Sequence, residues 1–239
     1  ELTWEYINKA ENEFLYHEIF EQNTYLQYGI TVVEGDVVVD AGANIGLFSL
    51  LCSAAAPALK IIAIEPIPAI FDVLRRNLGG VETASVCLIN AAIGNPVYFG
   101  QDAIFSYYRD SPGESTRRVD ERSARRTQLN QAVATHPLGQ LRRGLEESMQ
   151  AGGGEDEAVE SCTCKVVTLQ DVIARSGVSC IDLLKIDVEG DELEALMSLK
   201  DSWHKVRQIV MEVYDKSNRL GETVELLKRQ GFAVTTKKQ

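Results

Sequence analysis

No apolar run in the 239-residue chain is long enough to cross a bilayer, and no charged-then-apolar leader opens it. Neither a membrane span nor a secretory signal is therefore expected. C-x-x-C pairs are also missing. The five cysteines, Cys52, Cys87, Cys162, Cys164 and Cys180, are an odd number, which argues against a disulfide framework and fits the reduced thiols of a cytoplasmic protein. Cys162-Thr163-Cys164 reads as packing rather than as a metal site. Positive charge is scarce, with 24 Lys and Arg against 35 Asp and Glu and a formal charge of −11. A general nucleic-acid binder needs clustered cations to neutralise phosphates, so that class is excluded. G-x-G-x-x-G, the loop that admits a dinucleotide pyrophosphate, does not occur after the first strand, and NAD is demoted with it.

What the chain does have is apolar content of 45 % with 25 % charged residues, enough to bury the core of one α/β domain with additions. VVVDAGANIGLFSL (37–50) reads as a buried strand, a glycine turn and a helix. Val37, Val38 and Val39 suit a strand covered on both faces, and Asp40 ends it with a carboxylate. Gly42 and Gly46 let the backbone turn and let a ligand approach main-chain N–H groups at the helix start; the plainer alternative is a tight packing turn. KIIAIEP (60–66) is a second buried strand. Its Glu65 lies about 20 positions past the glycines, the spacing that places two carboxylate oxygens on a ribose diol.

PIPAIFDVLRRNL (66–78) is an amphipathic helix opened by prolines, and SVCLINAAI (85–93) a third strand. The βαβαβ rhythm predicts a doubly wound, mostly parallel sheet. Residues 1–36, with a helix in NKAENEFLYHEIF (8–20), form an N-terminal cap. The rhythm stops near Gly100 and resumes after Ser161, so residues 100–161 are read as an insertion between core segments 37–99 and 162–239. Between Arg109 and Arg143 the insertion carries +4, leaving −15 for the rest. A lid over the substrate, a basic docking face and a solvated helical excursion all fit.

The core returns with VVTLQDVI (166–173) and IDLLKIDVEGDE (181–192), a strand delivering Asp187 and Glu189 at its carboxyl end. QIVMEVYD (208–215) is the next strand, with Glu212, Tyr214 and Asp215, and GETVELLKRQG (221–231) is a final helix. Ligands of open α/β sheets sit outside the carboxyl ends of strands, so these groups are expected to converge beside Gly42.

The order and spacing of these motifs resemble the FkbM family of S-adenosylmethionine-dependent O-methyltransferases, and especially the domains embedded in polyketide and mixed polyketide–peptide synthases. IAIEPIP (62–68), INAAIGN (89–95) and the lead-in NEFLYHEIFEQNTYLQYGI (12–30) are also similar to that family. The resemblance covers most of the chain except residues 100–161. It implies a Rossmann-like class I methyltransferase fold using S-adenosylmethionine. Asp40, Gly42, Asn44 and Gly46 would surround the methionine part, Glu65 would hold the ribose, and Asn90 and Ala91 would lie near the adenine, with Asp187 beside them. Synthase-embedded members carry His where this chain has Tyr214. Members also end on a further antiparallel strand that this pattern lacks, and with a start at Glu1 rather than Met the chain reads as a fragment or a truncated domain.

Methyl transfer to an aliphatic hydroxyl needs a base within hydrogen-bond reach. The candidates are Glu189, Glu212, Tyr214 and His136, the last from the insertion. Glu189 could instead serve a helix N-terminus, and His136 could be an ordinary surface histidine. Glu212, in an apolar strand, is expected to be buried with a hydrogen-bonding duty. Tyr214 suits donation to the acceptor oxygen better than proton removal. His17 and His204 read as structural. Asp187 and Glu189 offer two oxygens but no third ligand adjoins them, so a metal-independent reaction is expected. The expected acceptor is a hydroxyl on a polyketide-like intermediate held by an acyl carrier protein, with flanking synthase domains as partners. The alternatives are a free-standing small-molecule or sugar O-methyltransferase, and a module that binds the cofactor without catalysing.

Overall fold

A computed structural model of the chain describes residues 2–95, 97, 102–109, 111–119, 122–123, 159–215 and 218–237. Its main sheet has five parallel strands in the order β3-β2-β1-β7-β8. They are β1 (Val37–Ala41), β2 (Leu59–Ile64), β3 (Ala84–Ile89), β7 (Leu183–Ile186) and β8 (Ile209–Met211). Helices α2 (Leu47–Ala55) and α3 (Pro68–Leu78) cover one face with the N-terminal segment. On the other face lie α4 (Leu169–Ser176), α5 (Glu192–Met197) and α6 (Arg219–Arg229). The two apolar clusters divide by strand period, Val38 and Leu183 on one side and Val39 and Leu184 on the other. This is the expected doubly wound architecture, and the strand order reverses between β1 and β7. The crevice of such a sheet opens at that reversal.

The N-terminal cap contains α1 (Lys9–Tyr16), capped by the Asn8 side chain on Glu11 N and continued by a π-helical turn at His17–Glu21. Trp4, Tyr16 and Phe20 stack, and Tyr25 meets Phe48 edge-on at 5.3 Å. No helix among the described residues is long and apolar enough to cross a membrane.

Several element boundaries differ from the sequence expectation. SVCLINAAI is not one strand: β3 ends at Ile89, and Ala92–Ile93 is β4 of a second sheet. Asn90 makes the break, donating its side-chain amide to the carbonyls of Glu65 (2.8 Å) and Pro66 (3.0 Å). The flanks of the expected insertion are regular as well, since β5 (Asp102–Tyr108) and β6 (Val159–Val167) pair antiparallel from Asp102↔Lys165 to Tyr108↔Val159. With β4 they complete a three-stranded sheet in the order β4-β6-β5. β8 is shorter than QIVMEVYD and stops at Met211, although Glu212 N still reaches Ile186 O at 3.1 Å. Residues 232–237 form no strand. Phe232 nevertheless packs on Trp203, with ring centroids 6.2 Å apart.

Candidate active site

The cleft lies outside the carboxyl ends of β1, β2 and β7, where Gly42, Asn44, Glu65, Ala91, Asp187 and Glu189 line it together. Ile67, Ile70 and Phe105 give it an apolar side. Each polar residue arrives there by the end of a strand. Asp187 N bonds to Ala41 O at 3.0 Å and Glu65 N to Ile89 O at 3.1 Å, so both carboxylates are fixed one step beyond the ladder.

The glycine loop is shaped first by packing. Gly42 has φ +79° and its N–H donates to Ile64 O. A Cβ there would stand 1.7 Å from the carbonyl oxygen of Asp187. Gly46, at the start of α2, faces Leu74 and Leu78 of α3 and does not line the cleft. Only glycine allows β1, β7 and the two helices to come this close. The loop thereby brings Asn44 to the cleft, itself at φ +49°.

Asn44 Oδ1 is buried and accepts no hydrogen bond. An unpaired buried carbonyl is costly, and here it belongs to a cleft-lining residue, where a ligand N–H or O–H could satisfy it. Glu65 is 5 % exposed. Its Oε2 accepts from Asn44 N at 3.1 Å and its Oε1 from Ile67 N at 2.9 Å. Burial nonetheless pushes its carboxyl up to about 7, with those two N–H groups opposing the shift. Ribose hydroxyls donate into such a carboxylate, and an ammonium or hydroxyl donates into Asn44 Oδ1. The residues present therefore fit S-adenosylmethionine.

Asp40 lies one layer lower. It is fully buried, accepts from Ser49 Oγ at 2.8 Å, and has Lys185 as its register partner across β1 and β7. Lys185 Nζ donates to Gly42 O at 2.6 Å and stands 3.3 Å from Asp40 Oδ1 and 3.4 Å from Asp187 Oδ2. Burial works against the Lys185 charge, but Asp40 and Asp187 outweigh it and the net direction is upward. Burial pushes the Asp40 carboxyl up, while Lys185 and Ser49 oppose that. Tyr25 Oη completes the network with a 3.0 Å bond to Asp187 Oδ2. Burial, followed by the charges of Asp187, Glu212 and Glu18, holds the Tyr25 hydroxyl well above its usual range. It is thus a fixed donor. Both Tyr25 and Lys185 act on Oδ2 of Asp187, which leaves Oδ1 for a ligand.

Glu189 lines the cleft in a left-handed turn, φ +49°, followed by Gly190 at φ +106°. Glu212 is half-buried rather than buried, just past β8, and acts electrostatically on Tyr25. The strand ends one residue before it. Tyr214 and Asn90 do not line the cleft. Arg219 donates to the Tyr214 carbonyl at 3.3 Å. His136 lies outside the described residues, while His17 and His204 are exposed. No group of three His, Cys, Asp or Glu able to hold a metal occurs among the described residues. Sequence reasoning missed Lys185, Tyr25 and Ser49. Only Lys185 left a signal, as a lone cation in the otherwise apolar LLKI.

The described arginines of the insertion are paired within the chain. Arg117 and Arg118 hold Asp191, Arg118 also holds Glu194, Arg122 holds Glu114, and Arg109 holds Glu160. They are not a free basic face.

Several known proteins are similar to this chain. The chain is 34 % identical over 239 residues to the 31-O-demethyl-FK506 methyltransferase FkbM of Streptomyces tacrolimicus, covering 97 % of this chain and 86 % of that one. It is 35 % identical over 252 residues to the AMB antimetabolite synthetase AmbE of Pseudomonas aeruginosa, covering 96 % of this chain but 11 % of the synthetase. Against methyltransferase sdnD of Sordaria araneosa the identity is 32 % over 249 residues, 98 % of this chain and 87 % of that one. Among solved structures, a precorrin-6y C5,15-methyltransferase from Geobacter metallireducens aligns at 15 % identity and a TM-score of 0.42, over 84 % of this chain and 66 % of that one. The Methyltransferase FkbM domain model matches residues 40–234, and the chain belongs to that family of methyltransferases.

Proposed function

We propose that the protein is an S-adenosylmethionine-dependent O-methyltransferase acting on a hydroxyl of a polyketide-like intermediate carried by an acyl carrier protein. The observation that carries the cofactor reading is the pairing of buried Glu65 with the unsatisfied Asn44 carbonyl across one cleft at the sheet's switch point. When bound, the cofactor supplies an electrophilic methyl group on a sulfonium. The chain's work is to align the acceptor, exclude water and take its proton.

Glu189 is the candidate base, because it alone of the three candidates among the described residues, Glu189, Glu212 and Tyr214, lines the cleft. Asp187, held on Oδ2 by Tyr25 and Lys185, presents a fixed oxygen beside it. Glu65 accepts from the ribose hydroxyls, and Ile67 with Ala91 forms an apolar seat for the adenine. The AmbE relative, of which the match covers 11 %, supports a domain embedded in a synthetase, and the Streptomyces relative supports a free-standing enzyme on an untethered acceptor.

The test is calorimetric titration with S-adenosylmethionine and S-adenosylhomocysteine, with NADH as a control. Binding that is lost in Glu65→Ala supports the reading, and absence of binding to the wild type sinks it. Tethered and untethered hydroxyacyl acceptors then separate the two substrate classes. Turnover in Glu189→Gln is expected to fall by roughly 10²- to 10⁴-fold while cofactor binding persists.

A further inference from the structure

The motifs that point to the cofactor all lie on the sheet side of the cleft, yet the cleft has an outer wall. Pro112, Gly113 and Ser115 line it. They belong to a strap, residues 111–118, that folds back on β5: Ser106 N donates to Thr116 O at 3.0 Å and Thr116 N to Ser106 O at 3.2 Å.

From that anchor three sets of contacts reach the rest of the molecule. Gly113 N donates to Glu11 Oε1 of α1, and a Cβ at Gly113 would lie 3.2 Å from Asn44 Nδ2. The strap therefore rests directly on the glycine loop. Thr116 Oγ1 donates to Glu189 O at 2.8 Å. Arg117 forks onto both oxygens of Asp191, with Nη2 3.0 Å from Oδ1, while Arg118 reaches Asp191 Oδ1 and Glu194 Oε1, each at 2.7 Å. Two guanidinium groups thus close on one carboxylate that is only 5 % exposed.

Charge-assisted, forked bonds of this kind are the strong members of their class. They are also separable from the fold, because releasing them breaks polar contacts and opens no apolar core. A cofactor seated in this cleft would have the glycine loop on one side and the strap on the other.

We propose that residues 111–118 form the outer wall of the cofactor site, and that the clasp of Arg117 and Arg118 on Asp191 and Glu194 is the latch whose release lets the cofactor exchange. The proposal rests on the cofactor reading above. Closing the latch also sets Thr116 against the Glu189 carbonyl, so retention of the cofactor and the shape of the turn bearing Glu189 are coupled.

The test measures the dissociation rate of S-adenosylhomocysteine from the wild type and from Arg117→Ala/Arg118→Ala, with amide hydrogen exchange of residues 111–119 read alongside. The latch predicts dissociation faster by roughly tenfold or more, since losing a partner of a desolvated ion pair acts on the off-rate. It also predicts that S-adenosylhomocysteine slows exchange at Gly113, Ser115 and Thr116 in the wild type. Because the double variant strands the Asp191 charge, Arg117→Ala/Arg118→Ala/Asp191→Asn is measured as well and is expected to release as fast. Unchanged dissociation in the folded variants, or exchange in the wild type that ignores the ligand, overturns the latch while leaving the cofactor reading intact. No binding to the wild type overturns both.

Discussion

Beneath the cleft Lys185 is 4 % exposed between Asp40 and Asp187, whereas across its mouth Arg117 and Arg118 keep 21 % and 26 % of their side chains in solvent while holding Asp191. The lower network ties the buried pair of Lys185 and Asp40, with Asp187 at the cleft floor, to the backbone of the glycine loop. Lys185 and Asp40 cannot separate without leaving a charge in a low dielectric. The upper one joins a strap to a helix start, and each guanidinium has water to turn to when it releases. The same pairing of cations and carboxylates serves as a foundation in one place and as a fastening in the other. Exposure of the cation decides which.

That contrast can be broken from below. The largest effect is expected from Gly42→Ala, which drives a Cβ to 1.7 Å from a backbone oxygen at φ +79°. Neither strand can yield, so thermal or urea denaturation should show a loss upwards of about 4 kcal/mol, or no folded protein. Next comes Lys185→Met, which strands Asp40 and Asp187 and should cost about 3 kcal/mol. Lys185→Met/Asp40→Asn should recover part of that loss, and an absence of recovery would mean that Lys185 acts through packing alone.

A pH series sharpens the contrast. Burial raises Glu65 to about 7 and Glu192 to about 7, so the folded chain binds more protons than the unfolded chain between the ordinary carboxylate range and neutrality. Stability should therefore fall as pH rises through that window, and Glu65→Gln should flatten the slope in pH-dependent melting. The smallest effect is expected for Arg109→Ala. The Arg109–Glu160 pair has side chains 65 % and 53 % exposed, so the loss should stay within about 0.5 kcal/mol by denaturant titration. A large loss there would erase the rule that exposure decides.

The core was legible because its signals are local. Val37–Val39, the glycines and Glu65 lie within one βαβ unit, so period and spacing sufficed to place β1, β2 and the cleft. What escaped notice depends on register across distant segments. Lys185 meets Asp40 only because β1 and β7 pair, and Tyr25 reaches Asp187 across 162 positions. Asn90 hid inside an apolar string, since its side chain turns the chain by bonding carbonyls from another strand. The β5–β6 pair was masked by distance, although the alternation in CTCKVV (162–167) is a strand signal. Arg117 and Arg118 looked like a docking face because composition reports charge but not the partner that absorbs it.

The antiparallel register of β5 and β6 sets Tyr108 opposite Val159. Two chain ends that a sheet already holds side by side make little demand on the number of residues that join them. Doubling the length of a flexible connection between fixed ends costs only about 0.6 kcal/mol of closure entropy. A change of length beyond the strap, by evolution or by grafting, is one that the β5–β6 pairing itself can absorb.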